Sequence, residues 1–124
     1  MDKNILVVDD DNMNLKLAEV ILKQKAYSVI KAESGEKCLE ILKSEGDSIG
    51  LVLLDISMPG MSGTETIEKI KADDSISNIP VLYLTASEDE DIDELARKTG
   101  ALGYIKKPFL PKVLQDKVAE IAGE

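Results

Sequence analysis

Residues 51–63 read LVLLDISMPGMSG. Leu51-Val52-Leu53-Leu54 is a continuous run of bulky apolar residues, too short for a helix, as expected of a strand buried on both faces. It runs straight into a carboxylate, Asp55, and the chain then breaks at Met58-Pro59-Gly60. A charge directly behind a fully apolar strand is either a turn residue or a reactive group held at a sheet edge. Which of the two applies depends on what the other strands carry at the same end.

Four more runs of this kind occur: Ile5-Leu6-Val7-Val8, Tyr27-Ser28-Val29-Ile30, Val81-Leu82-Tyr83-Leu84 and Ala101 to Ile105. Between and after them lie segments with helical spacing. Leu15, Ala18 and Leu22 share a face in the first. Cys38, Ile41 and Leu42 share one in the second, behind a Ser34 cap. Ile67 and Ile70 mark the third. Ile92, Leu95 and Ala96 mark the fourth, with Ser87 and Glu90 at capping-box spacing and a stop at Gly100. Leu114, Val118 and Ile121 mark the fifth, after Pro111. Strands alternating with helices require right-handed crossovers, hence an α/β fold with a parallel sheet covered on both faces. The acidic run Glu88-Asp89-Glu90-Asp91 reads as a solvated first turn favoured by the helix dipole. Cys38 reads as core, Asp11 as the cap of the first helix, helped by Asn12 or Asn14, in preference to a fourth site carboxylate, and Gly60 and Gly63 as backbone requirements.

The 124 residues suit one domain, and 44% apolar content suffices for a core. A net charge of −9 with no offsetting basic run argues against direct binding to nucleic acid or an anionic membrane. No apolar stretch approaches the ~20 residues that a spanning helix needs. A single cysteine forms no internal disulfide and suits a reducing, cytoplasmic setting. With no histidine in the chain, an internal histidine base, ligand or phosphohistidine is excluded.

In open parallel sheets, ligands bind beyond the carboxyl ends of the strands. There the first run meets Asp9-Asp10-Asp11, the third Asp55, the fourth Thr85-Ala86-Ser87 and the fifth Lys106-Lys107-Pro108-Phe109. Taken alone, Asp9 and Asp10 read as turn residues and Thr85 as an ordinary strand end. Together they gather carboxylates, a hydroxyl and an ammonium at one edge. Crowded carboxylates resist ionisation unless a cation relieves them. All-oxygen ligands favour Mg²⁺, Mn²⁺ or Ca²⁺ over zinc, and the absence of a calcium-loop spacing favours Mg²⁺, with Mn²⁺ next. Thr85, the N–H groups behind it and Lys107 suit phosphate oxygens. The set describes a phosphoryl-transfer site in which Asp55, already ionised, is the nucleophile.

Ile5 to Asp10, Leu54-Asp55 with Met58-Pro59-Gly60-Met61-Ser62-Gly63, Leu84-Thr85-Ala86, and Gly103-Tyr104 with Lys107-Pro108-Phe109 resemble, in order and spacing, the receiver domain of two-component response regulators. The resemblance covers essentially the whole chain. It implies a flavodoxin-like doubly wound (βα)5 fold of the chemotaxis-regulator type, with strand order 2-1-3-4-5. It implies that Asp55 accepts a phosphoryl group from the phosphohistidine of a histidine kinase or phosphotransfer protein. Asp10, Asp55 and the Ser57 backbone carbonyl are then expected to hold Mg²⁺, with Asp9 assisting. Thr85, the Ala86 N–H and Lys107 are expected to bind the phosphoryl oxygens. Tyr104 is expected to be the switch aromatic that follows Thr85, although a tyrosine at a sheet edge also commonly caps the core. Ser57 and Ser87 occupy the positions that modulate phosphate lifetime in such domains, and the Lys107–Pro108 bond is expected to be cis.

Residues 1–124 are thus expected to be a single receiver domain without an output domain. It would act on a downstream protein through its fourth helix, fifth strand and fifth helix. Two alternatives are a relay intermediate that passes the phosphoryl group onward and a phosphorylation-independent interaction module. A hydrolase of the aspartyl-phosphate kind normally has a second aspartate two residues after the nucleophile, where this chain has Ser57. Catalysis is therefore expected to stop at self-phosphorylation from small donors and slow self-dephosphorylation.

Overall fold

The computed structural model describes residues 3–86 and 91–122. Five strands and five helices alternate: β1 (Asn4–Val8), α1 (Asn12–Lys23), β2 (Val29–Ala32), α2 (Gly35–Glu45), β3 (Ile49–Asp55), α3 (Gly63–Ala72), β4 (Val81–Thr85), α4 (Ile92–Thr99), β5 (Gly103–Lys106) and α5 (Pro111–Ala122). A short 3-10 turn, Gly46–Ser48, joins α2 to β3. All strands pair in parallel, in the order β2-β1-β3-β4-β5. The expected flavodoxin-like architecture is therefore present.

Strand alternation divides the core. Leu51 and Leu53 of β3 join Ile5 and Val7 of β1 and Leu82 and Leu84 of β4 against α1 and α5. Val52 and Leu54 join Leu6, Val8, Val81 and Tyr83 against α2, α3 and α4. Leu51 to Leu54 are all inaccessible to solvent, so β3 is covered on both faces as its sequence suggests. Burying each such side chain stabilises the fold by about 1.5–3 kcal/mol.

Helix ends follow local chemistry. Asp11 Oδ1 accepts the Met13 N–H at 2.9 Å, Ser34 Oγ that of Lys37 at 3.1 Å, and Ser62 Oγ that of Glu65 at 3.2 Å. Pro111 is the first residue of α5, where its missing N–H removes nothing from the helix. The proposed Ser87–Glu90 capping box and the Glu88–Glu90 acidic run lie outside the described residues. Among those described, Asp91 stands at the cap position of α4. Cys38 is fully buried, and burial pushes its thiol up to about 12.

Two strands differ from their sequence runs. The second was expected to begin at Tyr27 but begins at Val29. Ala26 adopts a left-handed conformation, φ 65°, and the Tyr27 N–H donates to Leu22 O at 3.3 Å. The end of α1 thus takes up the backbone of Tyr27, while its side chain still fills the core. The fifth run, expected from Ala101, begins pairing at Gly103 because the Gly100 and Ala101 N–H groups both close α4 onto Ala96 O.

Candidate functional site

The strand alternation that fills the core also aims the polar groups beyond it. Extending each strand's alternation past its last residue places Asp9, Asp55 and Lys107 on the α1/α5 side, following Val7, Leu53 and Ile105. It places Asp10, Thr85 and Tyr104 on the other side, following Val8 and Tyr83. The first three meet. Lys107 Nζ lies 2.7 Å from Asp9 Oδ2 and 3.2 Å from Asp55 Oδ1.

Backbone hydrogen bonds anchor each of these residues. The Asp9 N–H donates to Ala32 O, that of Lys107 to Thr85 O at 2.8 Å, and that of Ile56 to Leu84 O. The Lys107–Pro108 peptide is cis, as expected. After Asp55 the chain turns through Gly60, whose φ of 76° suits glycine, while Met58 tucks into the core. Gly63 then returns so close that its N–H donates to Ile56 O at 2.8 Å. A Cβ there would press on the Asp55 carbonyl oxygen and stand 2.7 Å from Ile56 Cα.

A cavity of about 330 Å³ opens over Asp55 and is lined by Asp9, Asp10, Asp11, Asn14, Asp55, Ser57, Thr85, Ala86 and Lys107. Asp9, Asp55 and Thr85 are buried; Asp10, Ser57 and Ala86 are exposed. Seven of the residues singled out in the sequence therefore converge on one space: Asp9, Asp10, Asp55, Ser57, Thr85, Ala86 and Lys107. Tyr104 does not. It is half-buried on β5 and lines a separate groove of about 620 Å³ between β5 and α5, with Leu102, Leu110 and Val113. Lys106 is exposed, and Ser87 lies outside the described residues.

The electrostatics are unbalanced. Burial, and then the charge of Asp9, push the Asp55 carboxyl from 3.8 up to about 6, with Lys107 opposing. Burial alone would lower the Lys107 ammonium, but its close contacts with the Asp9 and Asp55 carboxylates hold it above the usual lysine range. One lysine faces three carboxylates, those of Asp9, Asp10 and Asp55, which offer oxygens within 4.8 Å of one another. The Asp9 Oδ2 contact with Lys107 is a close ion pair without the angles of a regular hydrogen bond, so that buried oxygen keeps spare acceptor capacity. An all-oxygen, strongly negative set with an unsatisfied acceptor fits a hard divalent cation such as Mg²⁺. Asp55 Oδ1 also accepts from the Ser57 N–H over 3.4 Å, a long and therefore weak hydrogen bond.

Two features of the surface around the site carry no distinct signal in the sequence. Met13, Leu17 and Val20 form an exposed apolar stripe on α1, starting beside the cavity. Their helical spacing was visible, yet nothing in it separated them from core residues. Asn14 lines the cavity, and only the start of α1 at Asn12 directs it there.

The fold and the polar edge of the sheet define a doubly wound α/β domain with an acidic site at the carboxyl ends of its strands, and comparison with known proteins places it further. The family model described as response regulator receiver domain matches residues 5–119. The polar-differentiation response regulator DivK of Brucella anthropi is 30% identical over 116 residues, 93% of each chain. ARR21, named as a two-component response regulator of Arabidopsis thaliana, is 36% identical over 108 residues. That is 87% of this chain but only 17% of ARR21, so the chain spans a small part of that relative. The crystal structure of the N-terminal domain of a response regulator receiver protein from Methanoculleus marisnigri superposes with a TM-score of 0.77. It shares 39% identity and is matched over 98% of this chain and 97% of that one. The chain belongs to the response regulator receiver domain family of two-component systems. Among the described residues, no helix is long and apolar enough to cross a membrane.

Proposed function

We propose that the chain, as a single receiver domain, is a phosphoryl-accepting switch with Asp55 as the acceptor. The observation that carries this reading is the position of Asp55: buried at the end of the central strand, 3.2 Å from Lys107, and open to a polar cavity. The donor is the phosphohistidine of a histidine kinase or phosphotransfer protein in the cytoplasm. An Asp55 carboxylate oxygen forms a bond to phosphorus as the donor's N–P bond breaks, and the bonding pair leaves on the imidazole. Lys107, the Thr85 hydroxyl and the Ala86 N–H hold the phosphoryl oxygens. Asp9, Asp10, Asp55 and the Ser57 carbonyl would hold Mg²⁺, which supplies positive charge against the repulsion between phosphoryl oxygens and carboxylates.

The exposed stripe of Met13, Leu17 and Val20 runs from the mouth of the site and suits an apolar donor surface. Output is protein binding through α4, β5 and α5, where Leu102, Leu110 and Val113 are exposed around Tyr104. Tyr104 shares a face with Thr85 and is the aromatic whose position reports the state of the site. Incubation with Mg²⁺ and a small acyl phosphate should add one phosphoryl group by intact mass. Asp55→Asn should abolish the addition. A wild-type chain that gains none, or an Asp55→Asn chain that still does, refutes the assignment.

A further inference from the structure

Tyr83 is the third residue of β4, two before Thr85, and its side chain is fully buried. A buried phenol needs a partner. Its hydroxyl lies 2.6 Å from Thr99 Oγ1, in the last turn of α4. Thr99 Oγ1 in turn lies 2.7 Å from Leu95 O, one turn back. A threonine hydroxyl has a single proton. With that proton on Leu95 O, Tyr83 is the donor to Thr99. Two hydrogen bonds in series thus run from the floor of the sheet into the backbone of α4.

Among the described residues, few buried side chains of the helix hold it besides this pair. It spans eight residues, of which Ile92 and Ala96 are buried and Leu95 half-buried. Asp93, Glu94, Arg97 and Lys98 are exposed, and the Glu94–Lys98 pair at 3.3 Å lies in solvent. The left-handed Gly100 ends α4 immediately after Thr99. Tyr83 pairs in register with Tyr104, so the anchor point adjoins the strand that forms the floor of the output groove.

We propose that the Tyr83–Thr99 hydrogen bond is the pin that fixes α4 on the sheet. Tyr83 is thereby a positioning residue for the α4–β5–α5 surface and takes no part in phosphoryl chemistry. The functional meaning rests on the output surface assigned above; the mechanical claim does not.

The test uses the full chain and four variants: Tyr83→Phe, Thr99→Val, the double variant and Thr99→Ser. Backbone hydrogen exchange is followed residue by residue, alongside phosphorylation by acetyl phosphate. Tyr83→Phe and Thr99→Val should each speed exchange of the α4 amides about tenfold, the factor carried by one net hydrogen bond of ordinary strength. The double variant should be no faster than either single one, because both remove the same bond. Thr99→Ser, which keeps the hydroxyl, should match the wild type. Slowly exchanging amides of β1 and β3 should stay within about twofold, the scatter expected of independent sites, and the acetyl phosphate rate should not change. Unchanged α4 exchange, acceleration spread evenly over all elements, multiplying effects in the double variant, or a slowed acetyl phosphate reaction would each overturn the pin. A wild-type chain that takes no phosphoryl group would sink the functional reading while leaving the exchange result to stand by itself.

Discussion

Asp55 is held where its charge is unwelcome, and that has a sign that can be measured. Its carboxyl is pushed from 3.8 to about 6 by burial and by Asp9. Between those two values the folded chain binds more protons than the unfolded one. Through this group the metal-free protein therefore loses stability as pH rises from about 4 to 6, and the loss is complete above that range. Asp55→Asn removes the charge. In EDTA at pH 7.5 it should be more stable than the wild type by on the order of 2 kcal/mol, and the gain should shrink towards pH 4. Urea denaturation at the two pH values checks this; an Asn variant that is weaker at pH 7.5 contradicts it. Lys107→Met acts oppositely. It leaves Asp9 and Asp55 uncompensated and should cost about 3 kcal/mol, as well as slowing phosphorylation from acetyl phosphate.

At the scale of elements, close backbone approach matters as much as side chains. The β3–α3 loop packs so tightly that Gly63→Ala forces a Cβ against the Asp55 carbonyl and Ile56 Cα. Backbone cannot swing aside as a side chain can, so a loss of at least about 2 kcal/mol is expected in chemical denaturation. The helix α1 presents the contrary case. Leu17 is exposed, so Leu17→Glu should change stability by less than about 0.5 kcal/mol. If the α1 stripe receives the donor, the same change should slow transfer from a phosphorylated histidine phosphotransfer protein at least about tenfold, the cost of losing ~1.4 kcal/mol of apolar contact. Transfer from acetyl phosphate should be unaffected. Equal slowing with both donors would remove α1 from the docking surface.

For the whole molecule, the unbalanced charge at one end of the sheet couples the fold to cations. A divalent ion that binds the folded chain and not the unfolded one stabilises it by about 2.7 kcal/mol at a hundredfold excess over Kd. Added Mg²⁺ should raise the melting temperature at neutral pH, and EDTA should reverse the rise. Asp10→Asn should blunt it, since Asp10 is the exposed member of the three-carboxylate set. A melting temperature that ignores Mg²⁺ would argue against the metal assignment.

The one-dimensional pattern was enough for the architecture. Five short apolar runs, each followed by a helical period, permit little except a parallel sheet covered on both faces, and the polar residues just beyond four of those runs marked the site edge. Tyr27 shows where the pattern misleads: it is apolar and β-prone, yet the closing turn of α1 claims its backbone, because helix termination depends on the left-handed Ala26 and not on hydropathy. In LVLLDISMPGMSG every strand residue before Asp55 is apolar, so the sequence does not say which side of the sheet Asp55 faces. The packing of α1 and α5 against Leu51 and Leu53 decides it, and puts Asp55 with Asp9 and Lys107 rather than with Thr85. The Tyr83–Thr99 bond was likewise out of reach: it joins residues on different elements, and only the docking of α4 brings the two hydroxyls to 2.6 Å. Local periodicity determines elements because each residue's burial recurs along the chain; contacts between elements depend on how the layers settle against one another, which no single segment encodes.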